Sequence, residues 1–295
     1  ELIRKKFDVT VYDLGEQIIL NRKYIPKEAK IKYGSILDQY NLTNTFKNCD
    51  YVFHLAAMLG VKNTEDNKLD CLEINCEGTK NVLNACVKNR IKKVLFASSS
   101  EVYGEPDKNP ITENFSTKGK TIYGVSKMMG EEYCKSFYQK YKLNYTILRY
   151  FNTYGVYQKK QFVLSKFINE GMKNKTIIIN GDGRQKRSYI YAEDTAKATV
   201  LACMSKKTNQ KIYNLGNSYD PINLITLKNK ISKILKKKLK VKFNKNFSKN
   251  IERDKNREIF FRYCDSSKLE KVLNWKPKVS VDQGIKLIIK SYKNN

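Results

Sequence analysis

Short apolar runs alternate with longer segments of helical period along the first 160 positions. Residues 8–13 alternate around Val9 and Val11 and predict a strand that ends on an acid, Asp13. Residues 31–36 fit another strand, and residues 50–57 a further one that closes on the small pair Ala56 and Ala57. Residues 1–7 read as the tail of a helix, and residues 72–87 as a full helix. Val94, Leu95, Phe96 and Ala97 form an unbroken apolar run ending in Ser98, Ser99 and Ser100, the pattern of a buried parallel strand whose end opens into a crevice. From Tyr123 the apolar positions Met128, Met129, Tyr133 and Phe137 recur at helical spacing, and residues 145–149 return to a strand. Beyond Gln161 the pattern becomes a less regular mix of helices and short strands, with Gly181-Asp182-Gly183 marking a turn. Strands that alternate with helices predict an α/β fold with a parallel sheet.

The candidate chemistry lies where the serine-ended strand and the following helix come in order. Tyr123 and Lys127 are four apart, so on a helix they project side by side. A tyrosine with a pKa of about 10 is a poor base at neutral pH, and a neighbouring ammonium favours its phenolate. The pair can then move a proton to or from a substrate hydroxyl, which a serine from another strand can hold. Spacing alone is weak support, because Tyr138 and Lys142 repeat it on what reads as an ordinary solvated face. The three serines upstream separate the first pair from the second. In open α/β sheets, ligands sit at the carboxyl ends of the strands.

These stretches together resemble the extended short-chain dehydrogenase/reductase family, specifically the NAD-dependent epimerases and dehydratases of nucleotide sugars. The match runs from Val9-Thr10-Val11-Tyr12-Asp13 to Leu273-Asn274-Trp275-Lys276-Pro277. It implies an α/β, Rossmann-like doubly wound parallel sheet over residues 1–160 that binds NAD. A smaller mixed α/β domain over residues 161–295 would hold the nucleotide-diphosphate sugar, with the segment around 187–200 returning to the first domain. The resemblance assigns catalysis to Ser99, Tyr123, Lys127 and Glu101. It places Asp13 on the adenosine ribose, and Ser35 and Ile36 near the adenine, although the family usually has an acid where Ser35 stands. Leu55, Ala56 and Ala57 would let the pyrophosphate approach, and Asn75, in Asn75-x-x-Gly78-Thr79, would hold the strand ends beside the cofactor. Tyr123, Lys127 and Tyr150 would flank the nicotinamide and its ribose. Asn152 would contact the sugar-nucleotide diphosphate. Arg187, opening Arg187-Ser188-Tyr189-Ile190-Tyr191-Ala192-Glu193-Asp194, is the expected phosphate clamp, because a guanidinium bonds two oxygens at once. Among Arg253, Arg257 and Arg262, Arg257 is preferred as a second one. The family's first strand and glycine-rich loop should lie upstream of Glu1, so the sequence is expected to be a fragment whose sheet lacks its central strand. A homodimer is also expected.

The implied reaction is transient oxidation at the sugar C4, after which the 4-keto sugar has three fates. It can rotate and be reduced on its other face, lose water across C5–C6, or, as a uronic acid, lose carbon dioxide. Dehydration needs an acid and a base, and dehydratases place carboxylates directly after the serine or threonine. Ser99-Ser100-Glu101 offers one carboxylate, where the thymidine-diphosphate-glucose type has two. The single Glu101 resembles guanosine-diphosphate-mannose dehydratases and UDP-glucuronate decarboxylases, although those generally carry threonine where Ser99 stands. Simple rotation needs no further acid or base, and epimerisation, of the UDP-glucose 4-epimerase kind, ranks first, with 4,6-dehydration or UDP-glucuronate decarboxylation as alternatives. A rival of another class is a non-catalytic nucleotide-binding or regulatory protein, which would have no chemical reason to keep Ser99, Tyr123 and Lys127 together.

Composition changes this picture little. The formal charge of +28 would suit nucleic acid or an anionic surface, but lysines are spread along all 295 residues with abundant asparagine and isoleucine. The densest patch, residues 233–245, interleaves lysine with Ile234, Leu235, Leu239, Val241 and Phe243 and reads as a helix end and a strand. Nucleic acid is not the expected partner. Seven cysteines without a Cys-x-x-Cys pair argue against a full disulfide framework, and Cys49, Cys71, Cys76 and Cys86, among apolar neighbours, read as buried thiols; the single histidine, His54, excludes a multi-histidine metal site, and no metal is expected. No apolar run approaches the ~18 residues of a membrane span, so no membrane is expected and cytoplasm is the expected compartment.

Overall fold

The computed structural model describes residues 1–244 and 259–293. From the N-terminal side the elements are β1 (Thr10–Asp13), α1 (Gly15–Asn21), β2 (Lys30–Tyr33), α2 (Gln39–Thr45), β3 (Tyr51–His54), α3 (Val61–Asp66), α4 (Lys68–Leu72), α5 (Gly78–Lys88), β4 (Lys93–Ser99), α6 (Ile122–Tyr141) and β5 (Tyr145–Tyr150). The chain continues through β6 (Asn152–Tyr154), α7 (Val163–Met172), β7 (Ile177–Asn180), β8 (Lys186–Arg187), β9 (Tyr189–Tyr191), α8 (Ala192–Met204) and β10 (Lys211–Leu215). It ends in β11 (Ile222–Asn223), α9 (Leu224–Leu235), β12 (Val241–Asn244), β13 (Phe261–Arg262), α10 (Ser267–Leu273) and α11 (Val281–Lys293).

This is a Rossmann-like α/β fold in two compact units. The first holds residues 1–102, 117–149 and 199–213; the second holds 103–116, 150–198 and the described residues from 214 onward. In the first, β3 and β4 pair in parallel within a four-stranded sheet ordered β10-β5-β4-β3. β1 and β2 form a separate parallel pair, with Asp13 opposite Tyr33. The β4 run Val94, Leu95 and Phe96 is at most 1% exposed, as a strand covered on both faces must be. α6 crosses β4 so closely that a side chain on Gly130 would run into the Phe96 ring, which is why glycine stands there. Leu83, Val94, Phe96, Cys134 and Ile147 lie at the centre of this core.

The second unit has its own core, built by Phe167, Ile177, Leu227 and Ile231 with α11. α11 buries Val281, Ile285, Ile288 and Ile289, the apolar stripe of a helix with one face inward. β7 pairs in parallel with β12, and β8 lies between β11 and β13. Over residues 233–244 the lysine-rich stretch is a helix end and a strand: α9 stops at Leu235, and Lys236 turns left-handed at φ 53° before β12; Lys245 lies outside the described residues.

Several details differ from what the sequence predicts. The start of the chain forms a short 3-10 turn, Ile3–Lys5, closed by Lys6 at φ 61°. The helix expected over 72–87 contains one turn of π-helix, Glu73–Glu77, between α4 and α5. The passage between units comes at residue 150, not 160, because Phe151 N–H bonds the Leu215 carbonyl and β6 pairs with β9. Residues 187–198 stay in the second unit, held by these strand pairings, and the return segment is 199–213. That return is fixed by Lys93, whose buried ammonium donates to the carbonyls of Ala202 (3.0 Å) and Ser205 (2.8 Å) and to Thr208 Oγ1 (2.9 Å). The second unit is comparable in extent to the first, since residues 103–116 also join it through the Ile111–Cys264 bridge. Among the described residues no helix is long and apolar enough to cross a membrane.

Candidate active site

Thr121 starts α6: its hydroxyl accepts the Gly124 N–H at 3.0 Å, the N-cap bond that satisfies one orphan donor of the first turn. Tyr123 is half-buried in that turn, and Lys127 follows one turn later at 3% exposure. The Lys127 ammonium lies 5.7 Å from the Tyr123 ring centre and 5.1 Å from that of Phe96. Both faces attract a cation. Burial pulls the Lys127 pKa down to about 8. Tyr138 and Lys142 show the contrast: Lys142 is exposed at the left-handed end of α6, with its ammonium 5.6 Å from the Tyr138 ring.

The serine stretch is brought to this helix by β4. Ser99 is half-buried at the strand end and accepts the Glu101 N–H at 3.2 Å. The Glu101 carboxylate accepts the Thr121 hydroxyl at 2.8 Å. A Cβ on Gly124 would lie 2.7 Å from the Glu101 carbonyl oxygen, so the tyrosine's turn and the turn after the serines are in direct contact. Ser99, Glu101, Tyr123 and Lys127 are thus gathered within one unit.

Asn75 supports the same place from the π-turn. Its side-chain oxygen accepts the Met58 N–H at 2.8 Å, while its amide donates to the Met58 carbonyl (3.1 Å) and to Ser126 Oγ (3.0 Å). Ser126 in turn donates to the Tyr123 carbonyl at 2.8 Å. One amide therefore ties the loop after β3 to the helix of Tyr123. A π-turn widens the helix by one residue and is frequent where a side chain must be re-aimed. Behind it, Thr79 donates to the Asn75 carbonyl at 2.6 Å, which leaves its oxygen to accept from His54 Nε2 at 2.9 Å. His54 is buried and its pKa falls to about 3, from burial and then from the Lys127 charge. It is a neutral structural donor.

The expected cofactor residues lie at strand ends in the same unit. Asp13 is exposed at the end of β1 and accepts the Leu14 N–H at 2.8 Å. Ser35 Oγ accepts the Leu37 N–H at 3.1 Å, and Ile36 packs on Gly78. Leu55 is exposed, and Ala56 and Ala57 are half-buried just past β3. An exposed acid at one strand end and small residues at another suit a ribose diol and a pyrophosphate, so these residues fit a dinucleotide.

In the second unit, Tyr150 and Asn152 flank the passage between units, both half-buried. Arg187 differs from an open clamp. Its guanidinium is buried and donates to the carbonyls of Lys186 (3.0 Å), Phe260 (2.9 Å) and Ile259 (2.6 Å), because a buried fork of donors must find acceptors. Arg257, like Arg253, lies outside the described residues; Arg262 is buried on β13 opposite Arg187.

Two further residues join this site without a clear mark in the sequence. Glu131 is one turn beyond Lys127 on the face of Tyr123 and Lys127, and that spacing was the available signal. It pairs with Arg149 and accepts from Ser98 Oγ at 2.5 Å. Thr121 carried no signal beyond its fitness as a cap.

The chain belongs to the NAD dependent epimerase/dehydratase family, whose model matches residues 2–216. It is 34% identical to a protein of Methanocaldococcus jannaschii assigned provisionally as a UDP-glucose 4-epimerase, over all of this chain and 93% of that protein. A UDP-N-acetyl-alpha-D-glucosaminuronate decarboxylase of Bacillus cytotoxicus is 32% identical over 99% of this chain and 92% of its own. Among solved structures, the UDP-glucose 4-epimerase of Thermotoga maritima with UDP-glucose superposes with a TM-score of 0.89 at 27% identity, covering 99% of this chain and 93% of that one. NAD is the cofactor of the family.

Proposed function

We propose that this protein is a nucleotide-sugar 4-epimerase acting through a transient 4-keto sugar. The observation that carries the reading is the buried Lys127 ammonium 5.7 Å from the Tyr123 ring, on a helix turn locked to the serine stretch. The Tyr123 phenolate takes the C4 hydroxyl proton while Ser99 Oγ holds the same oxygen. Lys127 keeps the phenolate accessible near neutral pH and returns no proton itself. Bound NAD supplies the hydride acceptor and donor. Asp13, Ser35, Ile36, Leu55, Ala56, Ala57, Asn75 and Tyr150 are proposed to hold it, with Tyr123 and Lys127. For the sugar nucleotide we propose Asn152, whose side chain makes no hydrogen bond among the described residues, and Arg187 once a phosphate replaces its carbonyl partners.

Dehydration or decarboxylation is the second reading, favoured by the single carboxylate of Glu101 beside Ser99. Incubation with a panel of uridine-, guanosine- and thymidine-diphosphate sugars, followed by mass spectrometry and NMR, separates the readings. Unchanged mass with inverted C4 supports epimerisation; loss of water or carbon dioxide overturns it in favour of the second. Steady accumulation of NADH contradicts both. A homodimer is proposed on the exposed apolar residues Leu69 of α4 and Val125 and Met129 of α6, to be checked by light scattering.

A further inference from the structure

We infer that Thr121 is a positioning residue that sets the spacing between the serine stretch and the reacting tyrosine. Its side chain is buried, and its single oxygen works in both directions. As donor it gives its proton to Glu101 Oε2 at 2.8 Å; as acceptor it takes the Gly124 N–H at 3.0 Å. Tyr123 lies between the cap and the amide that the cap holds. The donated bond reaches back 20 residues to the turn that follows β4, where the Glu101 N–H is bonded to Ser99 Oγ. One hydroxyl therefore links Ser99, Glu101 and the first turn of α6.

The residue type follows from this double duty. A helix cap alone accepts aspartate or asparagine as readily as threonine. Here aspartate would set a second carboxylate against Glu101, and it has no proton to give. Only a hydroxyl both donates and accepts through one atom at this reach, so serine is the one conservative replacement. The contact between Gly124 and the Glu101 carbonyl leaves little slack for the two turns to settle elsewhere once the link is lost. Misplacement would then fall on the distance between the serine hydroxyl and the phenol, with the sugar-nucleotide contacts untouched.

The inference rests on Ser99 and Tyr123 being the reacting groups, and two readouts keep the questions apart. Thr121→Val and Thr121→Ser are compared with the unaltered protein for turnover of whichever panel sugar it converts, with NAD. Amide hydrogen exchange is followed over residues 99–127 in the same samples. For Thr121→Val, kcat should fall by about ten- to a hundredfold, the loss that a misplacement of roughly 1 Å causes. KM should stay within about threefold, since uniform binding is not removed. Thr121→Ser should recover most of the rate. The Gly124 amide should exchange faster in the valine variant and near the original rate in the serine variant. An unchanged kcat in Thr121→Val overturns the inference. So does equal loss in both variants. If the unaltered protein converts none of the panel, the functional reading fails, and exchange alone then decides: unchanged Gly124 protection in the valine variant overturns the link. Should Thr121→Val not fold, Thr121→Ala removes the same oxygen without bulk to place and is read in the same way.

Discussion

Arg149 grips Glu131 with two hydrogen bonds, Nε to Oε1 at 2.8 Å and Nη2 to Oε2 at 2.7 Å, and neither side chain is more than 5% exposed. Glu131 is the third residue on the helical face that carries Tyr123 and Lys127. The pair fastens α6 to β5, and the Ser98 hydroxyl on Oε1 fastens it to β4 as well. The positions of Tyr123 and of the serine stretch therefore share one buried anchor.

Removing one partner strands the other. Glu131→Ala leaves a buried guanidinium without its counter-charge, and the expected loss is about 3–5 kcal/mol of stability. Urea unfolding measures it. Replacing both, as Glu131→Leu with Arg149→Met, should recover most of the loss because no buried charge remains. A Glu131→Ala variant within about 1 kcal/mol of the original, well below that range, would show the pair to be solvent-screened.

Tyr123→Phe deletes the hydroxyl proposed to transfer the proton and keeps the ring that faces Lys127. Turnover should drop by about 10²–10⁴-fold, the usual worth of a placed acid–base group, with nucleotide-sugar affinity by calorimetry little changed. Near-normal turnover in the variant would move the chemistry elsewhere.

In the proposed mechanism Lys127 is expected to set the alkaline limb. Its pKa of about 8 means that the ammonium is present below pH 8 and is lost as pH rises through it. The phenolate then loses its stabilising charge, so kcat should fall above about pH 8. Lys127→Met should lower kcat at neutral pH and abolish that limb. A rate that stays level from pH 7 to 10 in the unaltered protein would contradict the pairing.

Lys93 makes a prediction about stability. Burial lowers its folded pKa to about 8, below the ordinary lysine value of 10.5. Between these two values the unfolded chain binds a proton that the folded chain has released, so stability from this residue rises with pH across the window. Below pH 8 both states are protonated and the cost of burying the charge is fully present. Comparing unfolding of the original with Lys93→Met from pH 7 to 10.5 isolates the effect: the difference should move in favour of lysine as pH rises. A constant difference would show that the three acceptors around the ammonium offset its burial.

The local patterns of the candidate site are legible in the sequence. The i, i+4 spacing of Tyr123 and Lys127 and the serine-ended apolar run are local patterns, and local patterns follow from helical and strand periods alone. The strand that ends on Asp13 follows from the same kind of pattern. The residues missed, Thr121 and Glu131, act through partners 20 and 18 positions away. Nothing in the composition of either segment announces such a partner. Arg187 was read from its motif as a clamp, and its surroundings supply three carbonyls that no motif encodes.

The sequence by itself determined the alternation of strands and helices, the burial of residues 94–96 and the side-by-side projection of tyrosine and lysine, because each depends only on neighbours along the chain. Two Tyr-x-x-x-Lys pairs on one helix were equivalent at that level. The tertiary structure told them apart: packing of α6 on β4 buries Lys127 over Phe96 and leaves Lys142 in solvent. It also decided where the chain leaves and rejoins the first unit. Burial and long-range partners depend on which face of each element meets another, and that is set by the packing of all the segments together.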